Sequence, residues 1–489
     1  MEPGVWISLS AYFLLMIAIG IYAWRKSVES SEGYILGGRD LSPSVTALSA
    51  GASDMSGWLL LGLPGALFVS GLSQSWIGIG LTLGALLNWI IVAPRLREQT
   101  EFYDNSLTIP GFLGNRFPSQ ARLLRMVSAV IIVAFFAVYT ASGLVGGGKL
   151  FASAFGGDYM TGVLLTLGIV LVYTVIGGFL AVSLTDFVQG LIMMLALIVM
   201  PIVILTTGQG NGVGQAVDRL TAIDADYFSM TKGMTLLGWI SAMAWGLGYF
   251  GQPHIIVRFM AIRSVRDVPV ARNIGMGWMV ISLAGAIGVG VFGRAYAERN
   301  GLTVSDPETI FIILSELLFH PLVTGFLYAA LLAAIMSTVS SQLLVSSSSL
   351  TEDIYHTLLK RNASDRELVN IGRLTVLAVG IVAAVIAADP EAMVLGLVAN
   401  AWAGFGAAFG PLIVLSLTWK RMTGAGAVAG LIVGAVTVVL WIWLGLNRSL
   451  LGGEGLYEIV PGFVASWLAI VLVSMATADQ GEYRARPAV

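Results

Sequence analysis

A carboxylate in an apolar setting is the first residue of this sequence that invites chemistry. Asp54 lies in Ser53-Asp54-Met55-Ser56-Gly57, with a run of small residues from Pro43 before it and the apolar stretch Trp58–Val69 after it. An aspartate at the centre of a membrane span costs about 2.5–3.5 kcal/mol on insertion scales, so its presence argues for a use. The bland alternative is an N-cap for the half-helix that follows, and capping and ion binding can coexist. A second interruption is Trp245-Gly-Leu-Gly-Tyr-Phe-Gly-Gln-Pro-His254. Glycine frees the backbone torsions and proline removes a donor, so a helix is expected to open there.

The neighbouring side chains suggest what such openings would hold. Trp245 and Tyr249 are i, i+4 and present one aromatic face. Trp58 follows Asp54 by four residues, and Tyr139 lies in a further apolar stretch. Aromatic walls suit a small, partly apolar zwitterion, whose ammonium gains ~0.5–2 kcal/mol of cation–π attraction. Its carboxylate can be met by a half-helix N-terminus. In Ala334-Ile-Met-Ser337-Thr338-Val-Ser340-Ser341 the hydroxyls of Ser337 and Thr338 share a helix face with the Ala334 carbonyl. With carbonyls of Ala52 and Met55 from an opened backbone they would offer the oxygens a hard cation such as sodium requires. Membrane serines and threonines also bond back to the i−4 carbonyl and pack quietly. That is the reading for Ser346–Ser349; for Ser337 and Thr338 both readings stand.

The elements that must position these residues are membrane spans. Hydrophobic residues make up 57% of the chain and charged ones 11%, against about 25% charged in soluble domains. Apolar stretches of the length needed to cross a bilayer follow one another almost without pause. The expectation is an all-α integral membrane protein of about 13 transmembrane helices, two of them discontinuous. They are placed near 4–24, 43–70, 73–94, 126–153, 160–178, 184–206, 233–252, 274–296, 321–350, 369–388, 393–418, 423–445 and 459–477. The segment Ile310–Leu318 reads as amphipathic and suited to lying flat on the outer surface. The first span lacks the charge order and cleavage site of a signal peptide. Of the 26 Lys and Arg, all but Lys149, Arg219, Lys232, Arg294, Arg299 and Arg448 fall on one side of this topology. The positive-inside rule then puts the N-terminus outside and the C-terminus in the cytoplasm.

The absence of cysteine excludes disulfides, thiolate metal sites and cysteine nucleophiles. A net charge of −2 carries no signal for nucleic acid. Two Gly/Pro-interrupted spans five apart point to an inverted-repeat carrier rather than an enzyme. The first repeat would run over 43–206 and the second over 207–418. One span and a loop (1–42) would precede them, and two spans with a tail (419–489) would follow.

At these motifs the sequence resembles a known family. Ser49-Ala-Gly-Ala-Ser-Asp-Met-Ser-Gly-Trp58, Gly62-Leu-Pro-Gly-Ala66, Trp245–His254 and Ala401–Pro411 closely resemble the solute:sodium symporter family, in particular its proline carriers. The likeness runs from about residue 5 to 475. It implies the leucine-transporter-type 5+5 inverted repeat and sodium-coupled uptake of L-proline by alternating access across the bacterial inner membrane. It also implies a sodium site at Ala52, Met55, Ala334, Ser337 and Thr338 and an essential Asp54. The implied proline pocket is Trp58, Tyr139, Trp245, Tyr249 and Pro253, with Ser56 and Gly57 nearby. Arg39 matches a cytoplasmic arginine associated with coupling. Some members hold a second ion, which Asp186, Ser340 and Ser341 would bind here, although proline carriers are generally thought to use one. Ser341 and Gln74 depart from the cysteine and glutamate of the nearest carriers. The expected partners are proline, sodium and lipid, without an organic cofactor, in a chain that works as a monomer. The alternatives are a sodium symporter for pantothenate, a sugar or a short carboxylate, and a membrane sensor. A sensor would need a kinase domain after the last span, where only about a dozen residues follow.

Overall fold

The computed structural model describes residues 2–27, 31–207 and 212–477; the tail bearing Arg484 and Arg486 lies outside them. Among the described residues the regular structure is helical, apart from one isolated bridge between Leu41 and Ile262. Among the described residues ten helices are long and apolar enough to cross a membrane. An eleventh span is a pair of half-helices bent by 61° at the Asp54 break.

In chain order the spans are α1 (Pro3–Ser27), α2a (Pro43–Asp54) with α2b (Trp58–Ser70), α3 (Ser75–Phe102), α4 (Ala121–Phe155), α5 (Tyr159–Val172) and α6 (Gly178–Thr206). Then come α7a (Leu236–Met243) with α7b (Pro253–Ala261), α8 (Val268–Asn300), α9 (Pro321–Ser348), α10 (Asp365–Ile386), α11 (Val394–Thr418), α12 (Gly424–Trp443) and α13 (Ile459–Ala476). Helices stand at all thirteen expected positions, but α5 and the pair α7a and α7b are shorter than the other eleven and are not by themselves long and apolar enough to count as spans.

Two boundaries differ from expectation. The seventh span does not end at residue 252: Pro253 sits at the first position of α7b, where a proline starts a helix as well as it stops one. Arg258, assigned by the charge count to the cytoplasmic side, is therefore on α7b and fully buried. The helices α5 and α6 belong to one helical run, Tyr159–Thr206, of which Tyr159–Val172 is the apolar first part and which is interrupted at Gly178, whose φ of +60° and contact with Tyr34 exclude a side chain. The helix Ile310–Leu318 forms as expected and is amphipathic: Ile310, Phe311, Ile312 and Leu314 are fully buried while Leu317 is exposed.

Burial separates the bundle into a core and a shell. On α1, Ile7 and Leu14 are more than 60% exposed, as befits a lipid-facing helix. Helix α9 is buried on nearly all sides and touches α1, α2a, α4 and α10. Helix α2a packs against α6, α7b, α8 and α9, which fixes both ends of its break relative to the oxygens of α9.

Candidate functional site

Both breaks leave backbone groups without helical partners, and the surrounding side chains meet them. Helix α2a ends at Asp54 and Met55 is its C-cap, with Met55 N donating to Gly51 O at 2.9 Å. The half-helix that follows receives no side-chain cap, so Asp54 does not serve as its N-cap. In the second broken span Ala244–Gly251 winds as a tight 3₁₀ stretch before Gln252 extends and α7b begins. There Trp402 Nε1 donates to the Trp245 carbonyl at 2.7 Å, and Gln252 Nε2 donates to the Trp402 carbonyl at 3.1 Å. Gly248 permits this approach: a β-carbon there would lie 1.9 Å from Trp402 Nε1.

The two breaks are joined through Asp54. Its carboxylate is buried, and its Oδ2 accepts a hydrogen bond from the Tyr249 hydroxyl. The Tyr139 hydroxyl donates to the Asp54 carbonyl at 3.4 Å. Trp58 and Trp245 stand 6.4 Å apart at 39°, and Tyr249 meets Trp402 edge-on at 5.1 Å. Ser56 Oγ accepts from Trp58 N at 3.4 Å, so it shapes the turn. Gly57 opens the second half-helix against Ile335. Pro253, fully within the protein interior, starts α7b. The structure thus brings Asp54, Ser56, Gly57, Trp58, Tyr139, Trp245, Tyr249 and Pro253 around one pair of breaks.

On α9 the oxygens converge. Ser337 Oγ lies 2.8 Å from the Ala52 carbonyl and 3.2 Å from that of Ala334; Thr338 Oγ1 lies 3.4 and 3.3 Å from the same two. All of these residues and Met55 are buried. The set is uncharged and made of oxygen, the chemistry of a hard monovalent cation. No group of three or more His, Cys, Asp or Glu with metal-site geometry exists among the described residues.

Asp186 has a different partner from the one expected. Its Oδ2 accepts from Ser49 Oγ at 2.8 Å and from Arg258 at 3.1 Å, and Arg258 also donates to Ser341 Oγ at 2.5 Å. Ser340 bonds back to the Ser337 carbonyl at 3.2 Å. A guanidinium therefore sits among the groups expected to bind a second ion.

Arg39 closes one face of the protein. It donates to Asn105 Oδ1 at 2.8 Å, Thr100 Oγ1 at 3.0 Å, the Ser106 carbonyl at 2.7 Å and the Met260 carbonyl at 2.8 Å. Burial, then the nearby Arg97 charge, lowers it to about 10, so it stays charged at neutral pH. Leu41 and Ile262 pair beside it, and Arg97 clasps the Ile262 carbonyl at 2.6 Å. The opposite face holds an open vestibule of about 1190 Å³. Its walls include Gly65, Glu308 and Arg448, and it reaches Trp245 and Tyr457. Tyr457 stacks on Trp245 at 5.3 Å and donates to the Ala399 carbonyl at 2.7 Å. Glu308 accepts from Lys149 and caps the start of α11 through Val394 N and Leu395 N.

Sequence reading missed Trp402, Tyr457, Glu308 and Arg258 as site residues. Trp402 stands in a motif already singled out, Ala401–Pro411, whereas Tyr457 and Glu308 carry no local signal.

Residues 34–434 match the sodium:solute symporter family. The chain belongs to this family. Among the symporters it is similar to the high-affinity proline transporter PutP of Bacillus subtilis, at 57% identity over 94% of this chain and 96% of that protein. The osmoregulated proline transporter OpuE of the same organism is 54% identical over 98% and 96%. A sodium/proline symporter of Staphylococcus aureus is 50% identical over 98% and 94%. In fold the symporter resembles a Na⁺-coupled sialic acid symporter in a substrate-bound, outward-open state. That match has a TM-score of 0.81 and 19% identity over 97% of this chain and 98% of that one. The nucleobase–cation symporter Mhp1 in a closed conformation follows, with a TM-score of 0.57 and 12% identity over 94% and 97%. The fold is the leucine-transporter type, and the protein is a multi-pass membrane protein.

Proposed function

We propose that this symporter carries L-proline into a bacterial cell together with sodium. The carrying observation is the convergence at one break: the Ser337 and Thr338 hydroxyls meet the Ala52 carbonyl, while Asp54 next to it is bonded to Tyr249 of the second break. The names of the three relatives support the cargo.

In this reading Ala52, Met55 and Ala334 supply carbonyls and Ser337 and Thr338 hydroxyls to sodium. Trp58, Tyr139, Trp245, Tyr249 and Pro253 form the proline pocket, with Ser56 and Gly57 shaping its edge. Sodium bound at the end of α2a stabilises the opened backbone and so completes the pocket, which is how the two solutes become coupled. Arg39 tethers the loop before α2a to the end of α7b. It thereby ties both breaks to the state in which that face is shut.

Residues 43–206 and 207–418 act as the two repeats, flanked by 1–42 and 419–489, and rock about the site. The charge distribution supports the N-terminus outside and the C-terminus in the cytoplasm of the plasma membrane. The vestibule then faces outward and the Arg39 clasp closes the cytoplasmic side. One ion moves per proline, because Arg258 supplies the cation between Asp186 and Ser341. One charge crossing 100 mV yields about 2.3 kcal/mol and a tenfold sodium gradient ~1.4 kcal/mol, enough for a proline gradient of several hundredfold. In this reading the symporter works as a monomer and without an organic cofactor.

Competition in proteoliposomes tests the cargo. Unlabelled L-proline should suppress sodium-driven uptake of labelled proline completely, whereas pantothenate, sugars and short carboxylates in excess should leave it unchanged. Suppression by one of these at lower concentration than proline would reassign the substrate.

A further inference from the structure

Asn88 lies midway along α3 in Ala85-Leu-Leu-Asn-Trp-Ile90, an otherwise apolar turn. Its side chain is 1% exposed, and neither its Oδ1 nor its Nδ2 has a hydrogen-bond partner among the described residues. Asp54 shows the same deficit on one side only. Tyr249 serves Oδ2, while Oδ1 is buried and unpartnered. Native interiors rarely leave such groups unsatisfied.

The two residues line one cavity, between α2a, α3, α7b and α8, with Met55, Tyr249, Trp89 and Trp278 among its other walls. Its volume is about 20 Å³, against the roughly 10–15 Å³ that one water molecule requires. The chemistry of the orphaned atoms selects the occupant. An amide presents both a donor and an acceptor, and a carboxylate oxygen needs a donor. A bare cation would serve the oxygens and leave the Asn88 NH₂ unpaired. A water molecule accepts from Nδ2 and donates to Asp54 Oδ1.

We infer that Asn88 is a positioning residue for Asp54, acting through one buried water. The carboxylate is then held from both oxygens, by Tyr249 on one side and by the Asn88 water on the other. Asn88 touches neither solute. It fixes the orientation of the residue at the break, and with it the carbonyls of Ala52 and Met55 on either side. The inference rests on the reading that this break forms the sodium site.

The test uses the full-length protein in proteoliposomes and a high-resolution structure of the wild type. Asn88→Leu fills the cavity with apolar atoms, and Asn88→Ser leaves room for water and a hydroxyl to hold it. Asn88→Leu should raise the sodium concentration for half-maximal proline uptake at least tenfold, with the maximal rate at saturating sodium changed less than threefold. Asn88→Ser should stay within threefold of wild type on both. Density for one water within hydrogen-bond distance of Asn88 and Asp54 Oδ1 is expected in the wild type. Equal sodium dependence in Asn88→Leu and wild type would overturn the inference. So would a dry cavity, or density with the short contacts of a metal ion. If Asn88→Leu does not reach the membrane, the wild-type density and the Asn88→Ser kinetics decide. The density tests Asn88 even if wild-type uptake proves independent of sodium, so the two readings fail separately.

Discussion

The Ser337 hydroxyl on α9 lies 2.8 Å from the carbonyl oxygen of Ala52 on α2a. These atoms belong to different repeats in the proposed architecture, so any ion between them bridges the parts that move. Coupling follows from that placement: the ion is bound tightly only while α2a and α9 are in this arrangement.

Loss of either hydroxyl should be read in sodium affinity. Ser337→Ala and Thr338→Ala should each raise the half-saturating sodium concentration about tenfold, the equivalent of ~1.4 kcal/mol. Proline affinity at saturating sodium should change little. Initial uptake rates across a sodium titration check this, and a change confined to proline affinity would move both residues to the substrate pocket.

Asp54 and Tyr249 should behave as a pair. Asp54→Ala should abolish uptake while the protein still inserts, as measured by immunoblot of membranes. Tyr249→Phe keeps the ring and removes one hydrogen bond to a buried carboxylate, which is worth about 1.5–3 kcal/mol. Its uptake should fall about tenfold or more at low proline. Near-normal uptake by Asp54→Ala would reduce that residue to a structural group.

Arg258 and Asp186, both fully buried, make a prediction about stability and stoichiometry. Removing one charge strands the other and should cost about 3–5 kcal/mol. Thus Arg258→Met or Asp186→Leu alone should lower the thermal midpoint in detergent sharply, and the double variant should recover much of it. Reversal potentials in wild-type proteoliposomes should give one sodium per proline; two would mean that the arginine does not replace an ion.

The Arg39 clasp predicts an accessibility change. The chain is naturally free of cysteine, so a single cysteine at Met260 reports on the closed face without background. Arg39→Ala should speed its labelling by a membrane-impermeant thiol reagent from the cytoplasmic side. An unchanged rate would show that the Leu41–Ile262 pairing alone seals this face.

The breaks were legible in the sequence because their causes are local. Glycine and proline act on their own torsions, and Asp54 stands out against apolar neighbours. Hydroxyl spacing at Ser337 and Thr338 was likewise visible, though its partner carbonyl at Ala52 came only through the resemblance and the expected opening. Arg258 lies on α7b rather than in a loop because Pro253 starts a helix where the expected span stops at residue 252. Glu308 was not legible: its partners Lys149 and Val394 lie far away in the chain, and a carboxylate in a loop looks solvated until packing buries it. Tyr457 was missed for the same reason, since its stacking partner Trp245 is brought to it only by the fold.

The most direct test of the central claim is uptake of labelled L-proline by proteoliposomes of the purified protein, with and without an inward sodium gradient. Accumulation above equilibrium is predicted only with the gradient, and its collapse when the gradient is dissipated. Proline uptake indifferent to sodium would contradict the account.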